Sequence, residues 1–436
     1  MRFEDRTHGL LSTRRIRVTR VRPRLTLATR LVAADDAQPN GPAYSFLMGR
    51  SHVTNAEFVT FLNDATTQLT TPRGEYLYFD STNGDVFINT ARVGQMGVGA
   101  GGRSIEIFSV GVSGRIEWVG GSYRLVVGTN DYTDHPVTGV SWYGAVKFCN
   151  WLTIDQGWPT TARCYEEDVE SNIGGWRPRT IEGEGWTLRD LNDTERRDLV
   201  ARHAGFRLPM DDGYGNIDLT VDSADAYNEW FKAAAWNGTL GRNTVFGFGR
   251  DALTAPDANF RCSGDPFEPA SSCQNGGTTP VGFFDGSMKT VNGASFPTNP
   301  NANAFGLNDM TGNAYHWLQD RFSPSTSIDR RVLRGGGWND PSNSLGLKCA
   351  RRTVWALPET TSREIGFRVL RALPPGTGDP NDDGDIDSDD EARMAICHTG
   401  PNAPRLGGCG SFDFNADDDV DLLDWARFQR TFGFPP

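Results

Sequence analysis

The sequence predicts an α+β protein with little regular secondary structure and a small all-α domain at its C-terminal end. Three observations lead there. The 436 residues include 50 Gly and 24 Pro alongside 12 Trp and 25 Phe, a composition of many turns around aromatic packing. Short runs at 75–79, 85–89, 104–111, 115–119 and 122–127 alternate like strands between glycine-rich turns. Two twelve-residue acidic segments, DPNDDGDIDSDD (379–390) and DFNADDDVDLLD (413–424), are each followed by a short segment with apolar residues.

In chain order, residues 1–43 read as a basic N-terminal extension, with nine arginines against two acids in the first thirty positions. That start lacks interleaved aromatics or a binding motif, which argues against nucleic acid. It also lacks a secretory apolar core, because arginines interrupt RIRVTRVRPRLTLATRLV. From 44 the chain turns globular. YSFLM predicts a strand and NAEFVTFLNDA a helix, with Thr54 as N-cap and Glu57 completing a capping box. GVGAGG (97–102) fits a dinucleotide fingerprint, but the alternating RSIEIFSV after it predicts a strand, so it reads as a hairpin connection. HPVTGVSWYGAVKFCNWLT predicts a loop, a short strand and a helix. SADAYNEWFKAAAWNG predicts a helix begun at Asp222 or Ser223 and stopped at Asn237–Gly238. LPPGTG (373–378) is a linker, which leaves domains at 44–372 and 379–434. No apolar run approaches the roughly 18 residues of a membrane span.

The acidic segments carry the clearest chemistry. Each presents oxygen side chains at loop positions 1, 3, 5, 9 and 12: Asp379, Asn381, Asp383, Asp387 and Asp390, then Asp413, Asn415, Asp417, Asp421 and Asp424. Asp385 and Asp419, at position 7, would add backbone carbonyls. A calcium ion takes six to eight oxygens at about 2.3–2.6 Å, which this alternation supplies for two ions. Without metal the crowded carboxylates repel, so folding of the tail is expected to depend on the ion. The pair resembles a dockerin module, a duplicated EF-hand-like calcium loop plus helix. That resemblance implies a cohesin-like receptor or cell-surface scaffold as partner, and an extracellular or cell-surface location. The missing secretory signal conflicts with such a location; a misassigned start or a cytoplasmic protein would each resolve the conflict.

Seven cysteines are present. Cys262 with Cys273, and Cys397 with Cys409, each close a short loop and read as local disulfides, while Cys149, Cys164 and Cys349 leave one odd thiol. None forms a CxxC pair, and the six histidines show no ligand spacing.

Five ordered blocks, PVTGVSWYGAVKFCNWL, FRLP…EWFKAAAWNG, GLNDMTGNAYHW, RVLRGGGW and IGFRV, resemble the signature of the formylglycine-generating, or sulfatase-modifying factor, family over about 44–371. The implied fold is a compact, irregular α+β unit related to C-type lectins. Within the blocks, Trp142, Trp151, Trp230, Trp317 and Trp338 are expected core fillers. Arg207, Arg334 and Arg368 are expected partners of buried carbonyls or carboxylates.

Catalytic members of that family oxidise a substrate cysteine with two thiolates that hold copper(I). Here GGGWNDPSNSLGLKCARR places Asp340 at the first thiol position and Ser344–Leu345 at the second, and the single Cys349 cannot make a two-sulfur site. The resemblance also implies structural calcium on Asp309, Gly312, Ala314 and position 316, a carboxylate in calcium-binding members and His316 here. A second loop would use Asn259 and Phe260. Three functional readings follow. The first is a calcium-dependent docking or interaction protein whose lectin-related domain takes a protein or glycan ligand. The second is a formylglycine-generating-type or other metal-dependent oxidoreductase with an altered site drawn from Asp340, His316 and Asp309. The third, on fold analogy alone, is a sugar-binding module.

Overall fold

The computed structural model describes residues 24–32, 46–88, 105–128, 130–167, 177–178, 205–211, 229–268, 276–322, 330–352, 354–372, 388–401, 403–406, 409, 412–414 and 419–431. Its elements are short, as the turn-rich composition requires, and fall into small sheets around a few helices.

One sheet joins the two ends of the main unit. Phe46–Gly49, buried along its whole length, pairs antiparallel with Thr29–Val32 on one side and with Leu370–Ala372 on the other. The stretch expected as an extension therefore contributes an edge strand. Val32 is buried, Leu25 and Leu27 pack on the core, and the Leu25 amide donates to Asp155 Oδ2 at 2.8 Å. Arg30 lies within this strand, and an edge strand accommodates a charged side chain.

The helix Asn55–Ala65 carries the expected box: Glu57 N donates to Thr54 Oγ1 at 3.3 Å, and Thr54 N donates to Glu57 Oε2 at 2.7 Å. It packs through Phe58 and Phe61 against Phe148 and Trp151 of the helix Trp142–Asp155, capped by Ser141. That second helix is buried on nearly all sides, so Lys147 lies inside and meets Glu167 with Asn150 beside it. GVGAGG lies outside the described residues; the chain after it forms the strand Glu106–Phe108, consistent with a hairpin connection.

The helix Glu229–Ala235 ends earlier than expected, because Trp236–Asn237 turns out of it to pair with Arg242–Asn243. The expected start at Asp222 or Ser223 lies outside the described residues. A four-stranded sheet ordered Val354–Ala356, Arg331–Arg334, Tyr315–Arg321, Ile365–Gly366 holds the centre, its last pairing parallel. All five signature tryptophans are buried. Each signature arginine has its partner. Arg207 grips Glu229 with both Nη atoms, and Arg334 pairs with Asp211 at 2.8 Å and donates to Cys349 O. Arg368 donates to Gly49 O and Asn308 O.

The helices Ser388–Cys397 and Leu422–Thr431 share a separate cluster of Met394, Phe412, Val420 and Phe428, stapled by the Cys397–Cys409 disulfide. No helix among the described residues is long and apolar enough to cross a membrane.

Candidate functional site

The corner formed by RGGGWNDPSNS sits where the thiol pair was sought. Gly335 and Gly336 have φ of +89° and +74°, so the chain leaves the strand Arg331–Arg334 by a turn that side chains rarely permit. Asp340 then folds back. Its Oδ2 accepts from Gly337 N at 2.8 Å and its Oδ1 accepts from Ser344 Oγ at 2.8 Å. Positions 340 and 344 thus face one another, but as a hydrogen-bonded carboxylate and hydroxyl. The Tyr315 ring fills the space between Gly337 and Gly346: a Cβ on Gly337 would come within 3.3 Å of it, and one on Gly346 within 2.8 Å of its hydroxyl. Burial, then the charge and hydrogen bond of Asp340, push the Tyr315 phenol well above its ordinary pKa. Tyr315 was not singled out from sequence; its place beside His316 in the GNAYHW block was the available signal. Cys349 is a buried free thiol whose pKa burial pushes up to about 12, so it offers no thiolate near neutral pH.

His316, next along the strand, projects to the opposite face from Tyr315. There it is fully buried, stacked on His52 with ring centroids 4.1 Å apart, and its Nε2 accepts from Arg368 Nε at 3.3 Å. Burial lowers the pKa of both histidines, His52 to about 3, so both are neutral. Burial also lowers Arg368 to about 9. Asp309, at φ +55°, accepts from Gly282 N at 2.7 Å and from Asn301 Nδ2 at 2.8 Å. Burial raises its pKa, while the charge of Arg368 acts the other way. The structure therefore gathers Asp309 and His316 around Arg368 and leaves Asp340 with Tyr315; the three residues of the altered-oxidoreductase reading do not share one site.

The two loops expected to hold calcium in the main unit adjoin each other. Asn313 N donates to Asn259 O at 2.8 Å, and Asn313 Oδ1 accepts from Thr279 N at 2.9 Å. A side chain at Gly312 would lie 2.3 Å from Asn259 O, so only glycine at φ +79° allows that approach. The Asn259 Oδ1 is buried without a hydrogen-bond partner, an oxygen suited to a hard cation. Phe260 packs with Phe246 and Phe248. Cys262 is disulfide-bonded, and its expected partner Cys273 lies outside the described residues. Glu268 accepts from Cys262 N and Gly264 N at 2.7 Å each, drawing the loop around a carboxylate.

In the C-terminal segment, carboxylate oxygens of Asp419, Asp421 and Asp424 lie within 4.8 Å of one another. Asp424, fully buried, fixes the turn by accepting from Phe414 N at 2.7 Å and Asp421 N at 2.9 Å. Asp413 is also buried, with Arg405 Nε 3.7 Å from its Oδ2. Asn415 and Asp417 lie outside the described residues, as do Asp379, Asn381, Asp383, Asp385 and Asp387 of the first loop. Asp390, its twelfth position, is buried in the first turn of the helix Ser388–Cys397.

Comparison with known proteins adds the relationship. Residues 33–373 match the model of a sulfatase-modifying factor enzyme 1-like domain. The chain is 33% identical over 86 residues to inactive C-alpha-formylglycine-generating enzyme 2 of Mus musculus, and 33% identical over 81 residues to its Bos taurus counterpart. These matches take in 19% and 18% of this chain and 26% and 27% of those relatives. Among solved structures, CarF aligns with TM-score 0.43 and 18% identity over 80% of this chain and 99% of its own. PvdO from Pseudomonas aeruginosa aligns with TM-score 0.34 and 18% identity over 80% of this chain and 92% of its own.

Proposed function

Because the chain belongs to the sulfatase-modifying factor enzyme 1-like family, we propose that it is a non-catalytic member that works by binding. In this reading its main domain presents a lectin-related surface to a protein or glycan ligand, and residues 379–434 form a calcium-dependent docking module of dockerin type. The observation that carries the first half is the Asp340–Ser344 hydrogen bond. Where copper(I) needs soft sulfur the chain has Asp340 at the first position and Ser344–Leu345 at the second, with Asp340 and Ser344 bound to each other, and the Tyr315 ring occupies the room between Gly337 and Gly346. The name of the Mus musculus and Bos taurus relatives, inactive C-alpha-formylglycine-generating enzyme 2, is in keeping with this.

The docking half is supported by the close Asp419, Asp421 and Asp424 oxygens and by a separate apolar cluster under a disulfide. Two ions, one per loop, would be held there, and a cohesin-like receptor or surface scaffold is the partner class. Oxidised Cys262, Cys397 and Cys409 favour an extracellular setting.

Two experiments decide the matter. The purified protein, loaded with copper(I) and supplied with oxygen, should leave a CxPxR peptide unmodified by mass spectrometry; formylglycine in the peptide overturns the non-catalytic reading. Calcium should sharpen the amide resonances of residues 413–424 in the full chain; a spectrum indifferent to calcium overturns the docking reading.

A further inference from the structure

The family resemblance implies a calcium ion held by the side chain at 309, the backbone at 312 and 314, and a carboxylate at 316. The groups this chain places there do not suit that ion. The Ala314 carbonyl accepts a hydrogen bond from His52 Nε2 at 2.8 Å. Because a carbonyl can only accept, Nε2 carries the proton and Nδ1 is bare, buried without a hydrogen-bond partner. Position 316 offers an imidazole instead of a carboxylate, and that ring lies flat on His52, 10° from parallel. Parallel stacked rings point their lone pairs along separate planes and cannot converge on one ion. Both oxygens of Asp309 already receive N–H groups.

Charge points the same way. The Arg368 guanidinium is fully buried, donates to Gly49 O at 2.6 Å, Asn308 O at 2.7 Å and His316 Nε2, and feels the charge of Asp309. One carboxylate thus already has a buried cation near it. A divalent ion beside a buried guanidinium, with Asp309 the single acid among these groups, would be repelled more than attracted.

The turn nevertheless needs something to hold it. Asp309, Gly312 and Asn313 have φ of +55°, +79° and +68°, a run that surroundings must impose. His52 is well placed to impose it. The next residue, Val53, donates to Phe367 O and accepts from Val137 N, so the imidazole projects from a backbone pinned on both sides.

We propose that His52, with His316 stacked on it and Arg368 bonded behind, takes over the work that a calcium ion does in such a loop, so that 309–316 is ordered by the protein's own groups. The loop would then owe its rigidity to a residue 262 positions away from its carbonyl partner, and 309–316 would be indifferent to chelators.

Hydrogen exchange read by mass spectrometry on the full chain tests this. In calcium and in EGTA, peptides covering 309–316 should exchange at rates within about twofold of each other. A slowing by calcium of about tenfold or more would overturn the proposal. The 413–424 peptides report separately: their indifference to calcium would sink the docking reading and leave this one untouched.

Substitution supplies the second arm. In His52→Ala the 309–316 peptides should exchange about tenfold faster, with or without calcium, and His52→Gln, which keeps an N–H donor, should recover part of the protection. Unchanged exchange in His52→Ala, or full recovery of that variant by millimolar calcium, would each show that the imidazole is not the substitute. Should His52→Ala fail to fold, the calcium and EGTA comparison on the unaltered chain still decides.

Discussion

Asp340 and Ser344 face each other across 2.8 Å, carboxylate to hydroxyl, the first at one position where a copper(I) centre would need sulfur and the second within the Ser344–Leu345 stretch that takes the other. The carboxylate also receives the Gly337 amide, and its charge acts on the Tyr315 phenol. Replacing Asp340 by Ala should therefore act as a structural loss. We expect a cost of about 1–3 kcal/mol in urea denaturation, from donors left without their acceptor. A change below about 0.5 kcal/mol would mean that the corner is held by something else.

Asp211 should be far more sensitive. It is buried, receives two donors from Arg334 at 2.8 Å, and has Arg352 Nε 3.2 Å away. Asp211→Ala leaves two guanidinium groups without their carboxylate, and the expected loss is about 3–5 kcal/mol. Chemical denaturation of the full chain, following tryptophan fluorescence, measures it.

Two buried groups should bend the pH dependence of stability in opposite directions. Burial, then the charge of Arg115, lower His135 from 6.5 to about 4. Between those values the unfolded chain binds the extra proton, so stability falls as pH drops from about 6.5 to about 4, at up to about 1.4 kcal/mol per unit. Burial raises Asp320 from 3.8 to about 7. There the folded chain binds the proton, and stability falls as pH rises from about 4 to about 7. The difference curves of His135→Gln and Asp320→Asn against the parent, from thermal melts at stepped pH, should carry opposite slopes. Slopes of one sign would refute the assignment.

In the C-terminal segment Asp424→Ala removes both a cluster oxygen and the acceptor of the Phe414 and Asp421 amides. The calcium response of that segment should drop by at least about tenfold in affinity by titration calorimetry. An Asp424→Ala isotherm that overlays the parent would show that these carboxylates do not bind the ion.

The Cys397–Cys409 bridge closes a loop of sequence separation 12 over the Met394, Phe412 and Phe428 cluster. Cys397→Ser with Cys409→Ser should lower the stability of this segment by about 2–4 kcal/mol. Exchange of the 422–431 helix amides would show it as faster opening, and unchanged protection would count against it.

What could be read from the sequence was local or repeated. The Thr54–Glu57 box, the buried tryptophans, the partnered Arg207, Arg334 and Arg368 and the Cys397–Cys409 pair all follow from residue chemistry at short range or from ordered blocks. Long-range placement was the illegible part. Nothing in spacing joins His52 to His316, because their stacking depends on the fold bringing the segment after Phe46–Gly49 beside the strand Tyr315–Arg321. The strand Thr29–Val32 was likewise hidden, since arginines between apolar residues look alike in a leader and in an edge strand. At the thiol-equivalent corner the sequence told which atoms were missing, while only coordinates told that Tyr315 fills the space.

The sheet that ties Thr29–Val32 and Leu370–Ala372 to opposite edges of Phe46–Gly49 has a practical corollary. A recombinant fragment cut at position 44, where the sequence alone turns globular, would strip one edge from a fully apolar strand. Its bare peptide groups would then recruit other molecules, and such a product should precipitate where one beginning at 24 stays dispersed.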